Sequence, residues 1–301
     1  MVDFAAPPEV YALAVLPALL WGFEPVLSKR GMAAGGTPLQ ASLVVVVVDS
    51  GLYWVALLLT EGPAGLASLT PFAVGLFLLA GFLGTALGRL AIFAGIRRLG
   101  ASINSAVISA RPVFAAVLAV AFLGEVATAA TVAGIAVLAV GLVVLALARG
   151  GDIGGWDRRD LLFPLSAAVV FAAGNVIRRF GLNVTPATAL EAVALNETAA
   201  LVALGGYALL GGRTEVLSLP RRSYALFAAS GVLTAVALLS LFTALSLPGG
   251  RVVVVDPLVA AAPLFTAGFA YFLLDDVERV TRGIVAGAVL VVTGAVLVTV
   301  V

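Results

Sequence analysis

The sequence predicts an all-α polytopic membrane protein of about 10 transmembrane helices in two inverted five-helix repeats. Three observations carry that reading. Of 301 residues, 62% are hydrophobic and only 11% charged, where a soluble domain is about half apolar and a quarter charged. With a mean hydropathy of +1.18, the chain has too little polar side chain to cover a water-facing surface, so lipid must cover it. Apolar stretches near the roughly 20 residues that cross a hydrocarbon core as a helix follow one another from end to end.

The spans fall near 10–28, 38–60, 71–95, 101–123 and 128–148, then near 160–178, 187–210, 223–246, 251–274 and 280–300. Short Gly- and Pro-rich connections such as GMAAGGTP (31–38) force consecutive helices to run antiparallel. The run Val44–Val48 is strand-like by propensity, but no sustained in/out alternation supports a barrel. The first ten residues carry Asp3 and Glu9 without Lys or Arg, so no cleaved signal is expected and the first span is read as retained.

The longest polar stretch, ARGGDIGGWDRRD (148–160), sits at the midpoint. It divides the chain into a first repeat (1–148), a linker (149–159) and a second repeat (160–301). Thr37-Pro38 opens the second span and Thr185-Pro186 the seventh, and at the same spacing Asp49 falls on Glu197. Gly134 and Gly141 in the fifth span match Gly287 and Gly294 in the tenth. Five spans per half make the second half enter from the opposite side, the inverted repeat that transporters use to alternate access around a central site. A duplication with no mechanistic consequence is the alternative.

Charged residues within spans are the functional candidates, because an ionisable group at mid-bilayer costs about 2.5–3.5 kcal/mol unless it faces a bundle interior or a wet cavity. Asp49 and Glu197 lie mid-span and lead the list. A carboxylate there can bind and release a proton as the cavity opens to each side. Arg111 directly precedes Pro112, which frees a carbonyl and kinks the helix; it can bind a substrate carboxylate or pair with Asp49, Glu197 or Asp256. Glu24 precedes Pro25 in the same manner, as a site residue or as an interfacial side chain. Asn175, Asn104 and Asn196 are interhelical hydrogen-bond partners or substrate contacts. Trp21, Tyr53 and Trp54 line the cavity or belong to an aromatic belt. Arg89, Arg97 and Arg98 are read as interfacial anchors ending the third span. Gly84 and Gly88, like Gly283 and Gly287, form GxxxG steps for close helix approach.

Several function classes fall away. Net charge is +1 with no basic block, so no nucleic-acid partner is expected. Cys and His are both absent, which removes disulfides, thiolate or imidazole metal sites and the commonest general base; no cofactor or metal is expected. The Gly81–Gly84 segment has no Gly-Lys-Ser after it, so no ATP site is read there. One lysine against sixteen arginines, with abundant Ala, Gly and Val, suggests a prokaryotic, GC-rich source.

The first span carries Trp21-Gly22 and then Lys29; the fourth reads ASINSAVISARPVFAAVLAVAFLGE (101–125), ending Leu123-Gly124-Glu125, with Gly134 and Gly141 beyond it. The second half ends on Glu278-Arg279-Val280-Thr281, then Gly287 and Gly294. Together these resemble the EamA family of the drug/metabolite transporter superfamily, over nearly the whole chain. The resemblance implies ten helices around a central substrate cavity, a multi-pass plasma-membrane location, and secondary transport or export of small metabolites, amino acids among them. Asp275-Asp276 interrupts the second Leu-Gly-Glu-like ending, and either Pro257 or Pro263 can stand for Pro112.

Basic residues crowd the odd-numbered connections (Lys29, Arg30, Arg97, Arg98, Arg149, Arg158, Arg159, Arg213, Arg221, Arg222, Arg279, Arg282), which places those loops in the cytoplasm and both termini outside. The family resemblance places the termini inside, so the two signals oppose each other. The leading reading is a proton-coupled secondary transporter, an exporter of a small metabolite such as an amino acid, with the bilayer, the solute and protons as partners. A non-transporting scaffold or receptor and an intramembrane enzyme are the alternatives; the enzyme would have only carboxylates to work with.

Overall fold

The computed structural model describes residues 7–62, 69–123, 129–148, 150–212, 218–250 and 252–299. Gly124 and Glu125 of the Leu-Gly-Glu ending, and Arg149, Arg213 and Arg251, lie outside the described residues.

The first half runs α1 (Pro8–Ala33), α2 (Pro38–Thr60), α3 (Pro71–Leu99), α4 (Ala101–Ile108), α5 (Arg111–Leu123) and α6 (Ala129–Leu147). The second runs α7 (Leu162–Val184), α8 (Ala189–Leu210), α9 (Arg221–Ser246), α10 (Val252–Val259), α11 (Ala262–Leu273) and α12 (Arg282–Thr299). Among the described residues, six helices are long and apolar enough to cross a membrane: α1, α2, α3, α7 (with the turn Arg158–Leu161 before it), α8 and α9. Four of the ten expected spans therefore differ from simple membrane-length helices. The fourth and ninth are each broken in two, at Ser109-Ala110 and at Ala260-Ala261. A proline two residues beyond each break, Pro112 or Pro263, has no N–H to continue the preceding helix. The fifth and tenth segments, α6 and α12, are 19 and 18 residues long.

The break resolves the proline question, since Arg111-Pro112 opens α5 as Ala262-Pro263 opens α11. Both helix starts lie 151 positions apart. Thr37 caps α2 through a reciprocal bond with Gln40, and Thr188 caps α8 in the same way with Glu191, again 151 positions on. The expected match of Thr37-Pro38 to Thr185-Pro186 is thus corrected, and with it the correspondence of Asp49 to Glu197, since 151 positions on from Asp49 stands Ala200. Thr185 ends α7, and it is the Thr188–Glu191 capping box that starts α8. Glu191 is spent on that cap, its carboxylate accepting from Thr188 N–H at 2.7 Å.

Contacts between the halves come in matched pairs. Helix α1 packs on α9 and on the broken pair α10/α11, while α7 packs on α3 and on the broken pair α4/α5. Helix α2 lies against α8, and α6 against α12. The glycines that marked the repeat meet at this last contact: a Cβ on Gly287 would stand 3.2 Å from the Gly141 carbonyl, and one on Gly294 would stand 2.7 Å from that of Gly134. The linker is not a free tether. Its strand β1 (Gly151–Asp152) pairs antiparallel with β2 (Glu278–Arg279), Asp152 opposite Glu278.

Glu278 also holds the start of α4. Its carboxylate accepts from Ala101 N–H at 2.7 Å and Ser102 N–H at 2.9 Å, two of the four amides that a helix start leaves unpaired. Gly100, at φ +91°, makes that approach possible, for a Cβ there would lie 2.7 Å from the Glu278 carboxyl.

Candidate functional site

A cavity of about 110 Å³ opens between the halves. Its wall carries Trp21, Glu24, Arg89, Arg111, Asn175 and Arg178 among apolar side chains. Helix α1 presents Trp21 and Glu24, and Gly22 between them lets α11 come close: a Cβ there would meet the Phe265 side chain at 2.5 Å. Residues Gly81–Leu87 of α3 form a π-helical stretch, a local irregularity frequent at functional sites. It precedes Arg89, which is buried.

Arg89 is the central correction to the sequence reading. It was expected at the membrane interface, yet its guanidinium stands between the two mid-span carboxylates of the two halves. Nη2 donates to Asp49 Oδ2 at 2.5 Å and lies 3.1 Å from Glu197 Oε2. The second contact is a charge contact without hydrogen-bond alignment, since Glu197 Oε2 has no hydrogen-bond partner. Asp49 and Glu197 are fully buried, and two such anions at one depth need a cation. That need was the signal available in the sequence: Arg89 lies six residues inside the expected end of the third span.

The remaining polar groups form one continuous network. Thr85 Oγ1 donates to Glu197 Oε1 at 3.1 Å and accepts from Asn196 Nδ2 at 2.7 Å and Arg178 Nη2 at 2.9 Å. Asn196 Nδ2 also donates to Glu197 at 2.9 Å. Arg178 Nε donates to Asn196 Oδ1 at 3.1 Å and Nη1 to Asn175 Oδ1 at 2.8 Å. Asn175 Nδ2 then donates to Asp256 Oδ1 at 2.9 Å, whose other oxygen lies 3.3 Å from Arg111 Nε. Of the three partners open to Arg111, the structure places Asp256 beside it. Thr85 and Arg178 were not among the candidates; Arg178 ends the expected sixth span, whereas α7 runs on past it to Val184.

Not every candidate faces the cavity. Asp49, Glu197, Asp256 and Asn196 stand one layer behind its wall. Tyr53 also stands off the wall, its hydroxyl donating to the Ala235 carbonyl at 2.8 Å and pinning α2 to α9. Glu24 is buried rather than reaching water, and accepts from Ser28 Oγ at 2.5 Å. Asn104 is buried behind the wall, and Trp54 donates to Thr198 at 2.9 Å. Arg97 and Arg98 are exposed, as anchors would be. No group of three or more Asp or Glu placed to hold a metal occurs among the described residues.

A buried ionic network around a cavity walled by a few charged groups among apolar side chains, between helices long and apolar enough to cross a membrane, is the setting in which the comparisons fall. Residues 9–147 match the EamA-like transporter family. The first half of the chain is thus similar to that family. With six described helices long and apolar enough to cross a membrane, that match indicates a multi-pass membrane protein. Among solved structures, a chain described as a protein crystal structure is similar at a TM-score of 0.65 with 16% identity, covering 97% of this chain and 96% of that one. That likeness shows a shared fold over both halves. A search of curated proteins finds no match.

Proposed function

We propose that this EamA-like protein is a secondary active transporter of the plasma membrane, an exporter of a small metabolite such as an amino acid, driven by protons. Residues 1–148 and 160–301 act as two inverted repeats joined by the 149–159 linker, and the cavity alternates access between them. The observation that carries this reading is the Asp49–Arg89–Glu197 triad, which ties the two halves through one shared cation in the cavity wall, with both carboxylates behind it. The recurrence of caps and helix breaks at one spacing, and the paired helix contacts, support the repeat.

Mechanistically, one guanidinium cannot neutralise two buried carboxylates. A proton arriving on Asp49 or Glu197 removes the excess negative charge and frees Arg89 to favour the other partner. Because the carboxylates sit on α2 and α8, that choice changes which half holds Arg89 more tightly. Movement of the halves is thereby linked to protonation. Arg111, Arg178, Asn175 and Glu24 would contact the solute, and Asp256 would hold Arg111.

Reconstituted vesicles test this. Proton flux should appear only with a transported solute and vanish in Asp49→Asn or Glu197→Gln. Wild-type coupled flux in both variants across pH 5–8 would refute the proton-carrier role.

A further inference from the structure

Resting on the reading of this cavity as the transport site, we infer that it seats an organic carboxylate: the carboxylate lies against Arg178, Arg111 and Arg89, and an apolar body packs on Trp21, Phe93 and Phe171. The sign of the charge presented to a solute decides the substrate class. Three of the four charged side chains in the wall are guanidiniums, and the fourth is Glu24. The carboxylates that balance Arg89 and Arg111 stand behind the wall and are fully or almost fully buried, so a solute meets the cations first.

Arg178 is the strongest case. Its three hydrogen bonds go to the neutral oxygens of Asn196, Asn175 and Thr85, and it forms no salt bridge among the described residues. A buried cation whose hydrogen-bond partners are all neutral gains from an arriving anion that bonds it directly. The five N–H donors of a guanidinium leave two spare after those bonds. Donors are spare on the other two as well: Arg89 Nη1 is buried without a hydrogen bond, and Arg111 Nε has no aligned acceptor despite its nearness to Asp256. A carboxylate matches the planar fork of a guanidinium with two oxygens.

Backbone supports the same end. Helices α5 and α11 begin at the wall, at Arg111 and Ala262, and helix starts carry positive partial charge and free N–H groups. Space for the Arg178 head comes from Gly84, where a Cβ would lie 3.0 Å from Nη2. Glu24, held by Ser28, stands as the one carboxylate among the described wall residues that an ammonium on the same solute would meet. The rest of the wall includes Ile92, Leu238 and Val259, which suits an apolar body.

A matched series decides the matter: 3-phenylpropionate, L-phenylalanine, L-phenylalaninamide and phenethylamine, added to the full-length protein in nanodiscs and read by thermal shift. Binding to the folded state raises the melting temperature. The two carboxylates should raise it and the amide and amine should not. The carboxylate response should weaken about tenfold or more in R178Q and in R178K, which keeps the charge but loses the fork, and stay unchanged in R98Q at the exposed surface. The proposal is overturned if the amide or amine stabilises while the acids do not, if no member gives a carboxylate-dependent response, or if R178K binds the acids as wild type does. Carboxylate binding without coupled proton flux would sink the proton mechanism and leave this seat intact; coupled flux of phenethylamine alone would do the reverse.

Discussion

Arg89 Nη2 lies 2.5 Å from Asp49 Oδ2, at the point where α3 and α2 cross. The same nitrogen is 3.1 Å from Glu197 of the other half, so one cation holds two anions that are wholly out of water. Removing it strands both. Arg89→Gln should destabilise the protein by about 3–5 kcal/mol, the cost of breaking a buried ion pair from one side. The double variant with Asp49→Asn should recover a substantial part of that loss, because it deletes one of the stranded charges. Melting of the three variants in one detergent checks this; equal stability of single and double variants would show that the carboxylates are not held by Arg89.

The Glu278 cap gives a pH dependence of definite sign. Burial pushes the Glu278 carboxyl above the usual carboxylate range, against the hydrogen bonds from Ser102 and Ala101 that draw it down. For an acid whose folded value is raised, the folded state binds the proton more tightly than the unfolded chain. Its contribution to stability is then fully present below the ordinary glutamate range and is lost as pH rises through the raised folded value. Melting temperature should fall over that window as pH rises, and Glu278→Gln should flatten the slope. An unchanged slope in the variant assigns the dependence to other groups.

Much of this arrangement was legible in the chain. Hydropathy located the segments, and Asp49, Glu197, Arg111, Asn175, Asn196 and Asp256 fall on one network. What was not legible depends on helix geometry that residue spacing does not carry. The Gly81–Leu87 stretch departs from the regular 3.6-residue turn, so Arg89 cannot be assigned a face by counting. Nor does hydropathy show the breaks at Ser109-Ala110 and Ala260-Ala261, since both runs stay apolar through them. Layering was equally hidden. A carboxylate at mid-bilayer must be sheltered, but whether it faces the cavity or stands behind an arginine depends on the partner helix.

Close approach of α3 to α8 rests on Gly81. A Cβ there would stand 1.9 Å from the Asn196 carbonyl oxygen, a backbone atom that cannot swing aside. Gly81→Ala should therefore cost about 1–3 kcal/mol, the usual range for overpacking, and should displace the segment that carries Asn196 and Glu197. Solute-dependent proton flux should fall along with stability. Gly75→Ala, which meets nothing within 4 Å on the same helix, is the control expected to lose neither.

The last relationship joins the linker to the ends of α1 and α3. Lys29 is buried, donates to the carbonyls of Ile96 at 3.3 Å and Arg97 at 3.1 Å, and forms an ion pair with Asp152. Asp152 belongs to β1, whose partner strand carries the Glu278 cap, so one strand pair braces α1, α3 and α4 on the linker side. Any opening of the cavity toward that side must part these contacts. Asp152→Asn removes the anion and leaves Lys29 with its two carbonyl acceptors, which weakens the brace without emptying it. Because the chain has no cysteine, a single Ser109→Cys in the cavity wall reports access cleanly. Its reaction with a small charged thiol reagent in nanodiscs should quicken about fivefold in the Asp152→Asn background, the population shift that about 1 kcal/mol produces. An unchanged rate would show that the Lys29–Asp152 contact does not restrain opening, and that the brace acts on folding alone.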